Sequence, residues 1–270
     1  MTTAHHAGFL AAAVAAAHAA ATLIREAAAD RSTLDVRAKR PNDFVTQVDT
    51  ACERAIARTL LAAFPKHAVR GEESAAGYGD AGADHVWIVD PLDGTNNFIH
   101  GFPWFAVSIA LAVRGQVEVG VVLDVPHAEC FTATRGGGAF CNGQRLAVSS
   151  RATLSQAIVA ASCPLPRGEG FEAALQLLGL MLSQASALRR CGAAALDLAQ
   201  VAAGRSDAYF DRGLNAWDVA AGSLLVQEAG GIVSTYAGES GFMEARECLA
   251  ANPALHAVLR GILASPPTAR

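Results

Sequence analysis

The sequence that most constrains the fold of this chain is WIVDPLDGTNNF at positions 87–98. Its first three residues are apolar, and the Asp90-Pro91 pair that follows predicts a short buried strand ending at Asp90. Pro91 disfavours a helical backbone at the preceding residue, so the chain must turn, and Asp93-Gly94-Thr95 predicts a flexible corner with a helix N-cap. The carboxylates of Asp90 and Asp93 should therefore point into one small volume.

Two carboxylates this close repel each other, and at neutral pH both stay ionised only when a cation lies between them. Mg²⁺ takes a few carboxylates together with the oxygens of a substrate phosphate. An isolated DxxD sequence is also typical of a simple turn with a capping Asp. Other parts of the chain must therefore decide between a metal site and a turn.

Composition excludes several classes of protein. With 270 residues and 52% hydrophobic content, the chain can form one large domain or two packed lobes. A net charge of −4 argues against a broad nucleic-acid-binding face, but it permits a phosphate-bearing small molecule if metal ions supply positive charge. The six cysteines are scattered without a CxxC pair, which favours reduced thiols over a zinc site or a disulfide framework.

The Ala-rich N-terminus lacks the features of a targeting segment. No Lys or Arg precedes Arg25, so the positive region of a signal peptide is missing. No run looks apolar enough, over enough residues, to span a bilayer. These features predict a cytoplasmic protein without a membrane partner.

Hydrophobic periodicity divides the chain into two predicted lobes, 1–150 and 151–270. Helices are predicted at 7–30, 43–64, 171–183, 193–203, 216–229 and after 252, and strands at 87–89, 104–113, 116–123, 129–134, 157–162, 187–190, 207–210, 232–235 and near 249. Alternation of strands with helices in the second lobe predicts an α/β layer, in which ligands bind at strand ends and helix starts.

Glycines predict the loops of the first lobe. Arg114-Gly115 is typical of an antiparallel hairpin turn, and Asn142-Gly143 is a second turn signal. The run at 136–138 has no strand-then-helix context, so it predicts a hairpin turn and not a phosphate-binding loop. Residues 39–43 predict a polar connector, and the Gly-rich segment 77–82 predicts a mobile surface loop.

Further acidic residues each have a simple explanation when taken alone. Asp49 falls inside the second predicted helix, where its pattern favours a solvent-exposed carboxylate. Glu72 and Glu73 follow Gly71 in an extended segment, so only one of them can face a given site. Asp218 begins a predicted helix, where it can either cap the helix or serve a site.

Four stretches in order resemble the motifs of the inositol monophosphatase family. Residues 87–111 (WIVDPLDGTNNFIHGFPWFAVSIAL) resemble its central signature, and residues 217–231 (WDVAAGSLLVQEAGG) resemble its C-terminal signature. RGEES and DFVTQVD resemble two upstream motifs, so the similarity covers about residues 39–253. The resemblance implies a layered α/β/α/β/α fold, Mg²⁺ dependence, lithium sensitivity and a homodimer.

Carried over residue by residue, the resemblance assigns a metal site with two or three Mg²⁺ ions. Glu72, Asp90 and the backbone carbonyl of Leu92 would hold one ion, and Asp90, Asp93 and Asp218 would hold a second. This agrees with the physical argument, because a two-metal clamp polarises phosphoryl oxygens and stabilises the leaving alkoxide.

The resemblance also assigns the catalytic groups beside the metals. Thr95, with Asp49 behind it, would orient and deprotonate the attacking water, and Glu72 would act as both catalytic residue and ligand. The amides of Gly94 and Thr95, at a helix N-terminus, are suited to the phosphate itself.

The polyol contacts implied by the resemblance depart from the family pattern. Asp93 and Asp218 would each offer a spare oxygen to sugar hydroxyls, and Ala193, Ala194 and Asp211 match positions that line the alcohol site. Relatives often carry Ser or Thr at the position of Ala193 and the longer Glu at the position of Asp211. A shorter carboxylate must use water to reach the same hydroxyl, which predicts looser discrimination among phosphorylated polyols.

Three functions remain open from the sequence. The first is a Mg²⁺-dependent phosphomonoesterase that acts on inositol monophosphate or a similar polyol phosphate. The second is a sugar bisphosphatase, of the fructose-1,6-bisphosphatase type, or a nucleotide 3'-phosphatase of the same fold, although residues 96–103 resemble the monophosphatase form. The third is a mainly regulatory binding protein in a transcription complex, as some bacterial relatives suggest.

Overall fold

The computed structural model describes residues 3–40, 43–161 and 171–263, and it has the α/β/α/β/α layers that the sequence predicts. Two helices cover one face of an eight-stranded sheet, and a second helix pair lies between this sheet and a five-stranded sheet. A last pair of helices covers the outer face of the five-stranded sheet. Three hydrophobic clusters fill the four interfaces between these layers, because one cluster surrounds the central helix pair and contacts both sheets.

The structure confirms most of the predicted elements and adds a few short ones. The helices are α1 (Thr3–Ala29), α2 (Gln47–Ala63), α3 (Thr95–His100), α4 (Phe171–Gln184), α5 (Ala194–Ala202), α6 (Ala216–Glu228), α7 (Phe242–Ala245) and α8 (Pro253–Leu263). The strands are β1 (Arg37–Arg40), β2 (Asp43–Val45), β3 (Ala68–Gly71), β4 (Tyr78–Gly79), β5 (His85–Asp93), β6 (Ala106–Val113), β7 (Gln116–Asp124), β8 (Glu129–Thr134), β9 (Gly138–Cys141), β10 (Gln144–Arg145), β11 (Ile158–Ala161), β12 (Ala187–Arg189), β13 (Ala208–Arg212), β14 (Ile232–Ser234) and β15 (Glu247–Ala251).

The eight-stranded sheet has the order β10-β9-β8-β7-β6-β5-β3-β4, with β3 parallel to β5 and all other neighbours antiparallel. The predicted turns are confirmed. Arg114 (φ 50°) and Gly115 (φ 83°) join β6 to β7, and Asn142 (φ 48°) and Gly143 (φ 80°) join β9 to β10. Positive φ at both central residues matches the right-handed twist of the flanking strands. The glycine run at 136–138 turns β8 into β9.

The five-stranded sheet has the order β12-β11-β13-β15-β14, and its first three strands are parallel. Its inner face packs with α5 and α6, and its outer face packs with α4 and α8. Helix α6 also lies close against the eight-stranded sheet. At Gly120 on β7 there is no room for a side chain, since a Cβ there would stand 2.8 Å from the carbonyl oxygen of Ala221 on α6. The division of the chain into two lobes at residue 150 stays a prediction.

Helix α1 corrects one expectation about the N-terminus. By length and composition, residues His6–Ala29 could cross a membrane, so the expectation that no run is apolar enough is wrong. In the fold, one face of α1 packs against α2 and the eight-stranded sheet, where Ala13, Ala17, Ala20 and Ile24 are fully buried. Small side chains on this face let α1 approach its neighbours closely.

Two other predicted segments of the first lobe differ from the structure in their secondary structure. The predicted helix at 43–64 begins only at Gln47, because residues 43–45 pair with β1 as a hairpin. Thr46 caps α2 through a capping box, in which the Asp49 carboxylate accepts the Thr46 amide at 2.8 Å. The predicted mobile loop at 77–82 contains β4, which pairs with β3.

The cysteines that the structure describes are free thiols, as expected. They are Cys52, Cys130, Cys141, Cys191 and Cys248. Cys163 lies outside the described residues.

Candidate active site

The end of β5 carries the two aspartates that the sequence singles out. Asp90 lies opposite Ser108 and Asp93 lies opposite Ala106, so β5 has one more residue than its partner over this stretch. Such a bulge tolerates a proline and changes the direction of the side chains that follow. The strand therefore continues through Pro91 to Asp93, and the prediction that it ends at Asp90 is wrong.

Four predicted carboxylates from three distant segments meet at one open cavity of about 190 Å³. Its predicted lining residues are Glu72, Asp90, Leu92, Asp93, Gly94, Thr95 and Asp218. Asp43 and Phe44 from the β1–β2 hairpin, Asn96 and Gly192 complete the lining. The acidic residues converge as the motifs imply, although they come from the β3–β4 loop, β5 and α6.

Asp218 reaches the cavity from the first turn of α6. It is the third residue of the helix, and Asn215 is the N-cap, so the predicted N-cap role of Asp218 is corrected to a capping box. The Asp218 Oδ2 atom accepts the Asn215 amide at 2.6 Å, which fixes the side chain against the helix start. The same residue therefore serves both the cap and the cavity.

Burial and mutual repulsion perturb the acids strongly. Burial, with help from Glu72, Asp93 and Asp218, raises the pKa of Asp90 well above its usual value. Burial and Asp218 do the same to the pKa of Asp93, and burial raises the pKa of Asp218 to about 7. A positive charge among these groups would favour their ionised forms.

The donor atoms fit a hard cation such as Mg²⁺. They are carboxylate oxygens and the carbonyl oxygen of Leu92, with no sulfur or nitrogen among the lining side chains that carry charge. Within residues 3–40, 43–161 and 171–263, no three His, Cys, Asp or Glu side chains form a preassembled metal site.

Asp49 is buried behind Thr95, and the expectation of a solvent-exposed carboxylate is wrong. Asp49 is 1% exposed, and its Oδ1 atom accepts the Thr95 hydroxyl at 2.8 Å. Its Oδ2 atom accepts both the amide and the hydroxyl of Thr46, at 2.8 and 2.6 Å. Burial raises the pKa of Asp49, which makes the carboxylate a stronger base near neutral pH.

Glu72 faces the cavity and Glu73 does not, as the alternation of an extended segment predicts. Lys39 on β1 contacts both carboxylates, because its Nζ atom lies 2.9 Å from Glu72 Oε1 and 2.6 Å from Glu73 Oε1. Burial raises the pKa of Glu73 to about 7, although the bond from Lys39 opposes this shift. The ammonium group thus ties the β1–β2 hairpin to the loop that carries Glu72.

Of the residues predicted to contact a polyol, Asp93 and Asp218 line the cavity, whereas Ala193, Ala194 and Asp211 are not among its lining residues. Ala193 is 1% exposed and Asp211 is 6% exposed. Asp211 accepts hydrogen bonds from the Tyr209 hydroxyl at 3.2 Å and the Arg212 amide at 2.7 Å. Gly192 is the part of this loop that reaches the cavity.

Asn97 connects two segments beside the cavity, a role that the sequence argument does not single out. Its Nδ2 atom donates to the carbonyl oxygens of Trp104 at 2.7 Å and Cys191 at 2.8 Å. It therefore joins the segment after α3 to the loop that contains Gly192. The only indication of this role in the sequence is that Asn97 lies shortly after the two aspartates, in the segment NNF at 96–98.

Asp197 on α5 is a buried acid beside the site. It is 3% exposed, and its Oδ2 atom has no hydrogen-bond partner among the described residues. Burial, assisted by the neighbouring Asp211, raises the pKa of Asp197 to about 8. An unfolded chain ionises Asp near pH 4, so the folded state holds an extra proton from about pH 4 to about pH 8.

The stability that Asp197 contributes should be lost as the pH rises toward 8. We expect the free energy of unfolding to fall from about pH 4 to about pH 8, by about 1.4 kcal/mol per pH unit for this group. Urea unfolding in the presence of EDTA measures this slope. The Asp197→Asn variant should have a flatter profile, and identical profiles for the two proteins would contradict the assignment.

Comparisons with known proteins agree with this geometry. The model of the inositol monophosphatase family matches residues 6–265. A curated relative from Pseudomonas aeruginosa, named Nus factor SuhB, is 46% identical over 244 residues, which cover 89% of this chain and 90% of the relative.

Two solved structures share the fold over nearly the full chain. The extragenic suppressor protein suhB from Bartonella henselae has a TM-score of 0.89 and 40% identity, and the match covers 93% of this chain and 96% of that one. An inositol monophosphatase from Anabaena (Nostoc) sp. has a TM-score of 0.83 and 32% identity, with 96% of each chain covered. The chain therefore belongs to the inositol monophosphatase family.

Proposed function

We propose that this protein is a Mg²⁺-dependent phosphomonoesterase that hydrolyses inositol monophosphate or a similar polyol phosphate. The observation that carries the proposal is the convergence of Glu72, Asp90, Asp93 and Asp218 on one cavity. Thr95, in contact with the buried Asp49, lies at the same cavity. Several carboxylates held this close together cost free energy unless a cation neutralises them. Membership of the family makes Mg²⁺ the expected cation.

Glu72, Asp90, Leu92, Asp93 and Asp218 would hold the metal ions. When bound, Mg²⁺ supplies positive charge to the phosphoryl oxygens and to the leaving alkoxide. Backbone amides hold three of these carboxylates, because Asp90 accepts the Leu92 amide, Asp93 the Ala195 amide and Asp218 the Asn215 amide. Because Mg²⁺ is usually bound by a few carboxylates together with phosphate oxygens, we expect the phosphate of the substrate to complete the ligand set.

Thr95 and Asp49 provide the route for a proton. The Thr95 hydroxyl has two acceptors within reach, Asp49 Oδ1 at 2.8 Å and the Leu92 carbonyl oxygen at 2.9 Å. When it donates to Asp49, its oxygen lone pairs can accept from a water molecule in the cavity. The proton of that water can then move through the hydroxyl to Asp49, whose pKa is raised by burial. The amides of Gly94 and Thr95 border the cavity where a phosphate would lie.

A panel of phosphate esters tests this proposal. Phosphate release should require Mg²⁺ and should be faster for inositol monophosphate and related polyol monophosphates than for fructose 1,6-bisphosphate or a nucleoside 3'-phosphate. Li⁺ in the millimolar range should inhibit turnover by competing for one Mg²⁺ position. Release of phosphate from the bisphosphate or the nucleotide alone would instead support a sugar bisphosphatase or a 3'-phosphatase.

The name of the Pseudomonas relative, Nus factor, favours a second candidate function. In this candidate the protein is mainly a regulatory binding partner in a transcription complex, and the acids of the cavity are dispensable. We place either activity in the cytoplasm and in a homodimer. The net charge of −4 favours a protein partner over nucleic acid.

A further inference from the structure

Glu53 is a buried acid on α2 that the proposed mechanism does not use. It is 1% exposed and lies one helical turn after Asp49, so both carboxylates point from the same face of the helix into the protein. Asp49 contacts Thr95, whereas Glu53 points toward the loop that follows β3. Two buried carboxylates on one helix face are costly unless each is well paired.

The Glu53 carboxylate holds the backbone of the loop that carries Glu72. Its Oε2 atom accepts the Glu73 amide at 2.8 Å, and its Oε1 atom accepts the Tyr78 hydroxyl at 3.3 Å. Gly71 packs so closely that a Cβ there would stand 1.9 Å from Glu53 Oε2. The Glu72 amide, in turn, donates to the carbonyl oxygen of Val89 on β5 at 3.2 Å.

Glu72 is thereby fixed on both sides through its backbone. Its own amide is bonded to β5, the strand that carries Asp90, and the next amide is bonded to α2, the helix that carries Asp49. A charged acceptor makes a stronger bond to an amide than a neutral one does. Without that acceptor the peptide between Glu72 and Glu73 could rotate, and the Glu72 carboxylate would leave its place at the cavity.

We propose that Glu53 is a positioning residue that sets the Glu72 carboxylate in the cation cavity through its hydrogen bond to the Glu73 amide. The inference rests on the proposed function, because it takes Glu72 to be a metal ligand. Outer groups that orient metal ligands commonly change metal affinity by 10- to 100-fold when they are removed. Glu53 would therefore act on Mg²⁺ binding without contacting the ion or the substrate.

The test titrates the full protein with MgCl₂ by calorimetry, without substrate, and compares two variants of similar volume. Glu53→Met fills the space but has no acceptor, and its Kd for Mg²⁺ should rise about 10-fold or more. Glu53→Gln keeps an acceptor oxygen for the Glu73 amide, and its Kd should stay within about threefold of the wild type. Amide hydrogen exchange at residues 72–77 should quicken in the Met variant only.

A matched control comes from the opposite side of the eight-stranded sheet. Glu228 also accepts two loop amides, those of Gly136 at 2.8 Å and Gly138 at 2.9 Å, but it lies outside the cavity lining. Glu228→Met should leave the Kd for Mg²⁺ unchanged. If Glu53→Met does not fold, Gly71→Ala displaces the same carboxylate from the other side and should raise the Kd similarly.

The outcomes separate the two proposals. A wild-type protein that binds no Mg²⁺, either alone or with inorganic phosphate present, would overturn the proposed function and this inference with it. A wild-type protein that binds Mg²⁺, with folded Glu53→Met and Gly71→Ala variants that bind it equally well, would overturn the inference alone. An equal loss in Glu53→Met and Glu228→Met would also overturn it, because a general effect on stability would then suffice.

Discussion

An Asp93→Asn variant should release phosphate from inositol monophosphate at least about 10³-fold more slowly than the wild type, because a lost metal contact costs several kcal/mol in the transition state. Asn has the same shape as Asp, and its oxygen can still accept the Ala195 amide, which lies 2.7 Å from Asp93 Oδ2. The fold should therefore persist while the charge that attracts the cation is lost. Initial rates at saturating Mg²⁺, together with circular dichroism, measure both properties.

Asp207→Asn is the matched control for Asp93→Asn. Asp207 is also buried, but its carboxylate accepts bonds from Ser149, Arg151 and the Ile158 amide, outside the cavity lining. Its loss should lower stability and leave the rate of the folded protein unchanged. If the Asp93→Asn variant kept full activity, the enzyme hypothesis would be wrong, and a regulatory binding role, for which the acids are dispensable, would be favoured.

A Thr95→Ala variant should lower kcat by about 10²- to 10⁴-fold with little change in KM, since it removes the hydroxyl that links water to Asp49. Thr95→Ser keeps that hydroxyl, so it should stay within about 10-fold of the wild type. Steady-state kinetics at saturating Mg²⁺ distinguish the two variants. Similar kcat values for the Ala and Ser variants would show that the hydroxyl does not take part.

The pair of carboxylates on β5 was accessible from the sequence, because proline and glycine restrict the backbone locally. The bulge that brings Asp90 and Asp93 to one side was not, since it depends on pairing with β6. The burial of Asp49 depends on Thr95, which lies 46 positions further along the chain. The helical pattern around Asp49 therefore predicted a solvent-exposed carboxylate. Only the resemblance to the family placed Asp49 behind Thr95, near the attacking water.

Lys39 and Glu53 show a similar limit of sequence reasoning. The β1–β2 hairpin interrupts what periodicity predicts to be a helix start, so nothing local places Lys39 beside Glu72 and Glu73. Glu53 had a usable signal, its spacing of one helical turn from Asp49, but its partner lies in another element. Helix α1 is a third case, because its composition alone does not distinguish a buried core helix from one that crosses a membrane.

The central claim is that four acids from distant parts of the chain share metal ions with a phosphate. Crystals grown with Mn²⁺ in place of Mg²⁺ and with inorganic phosphate test it directly through anomalous scattering. We predict peaks in the cavity bounded by Glu72, Asp90, Asp93 and Asp218, with phosphate oxygens beside Gly94 and Thr95. Anomalous maps without a peak in this cavity, at Mn²⁺ concentrations that support turnover, would contradict the account.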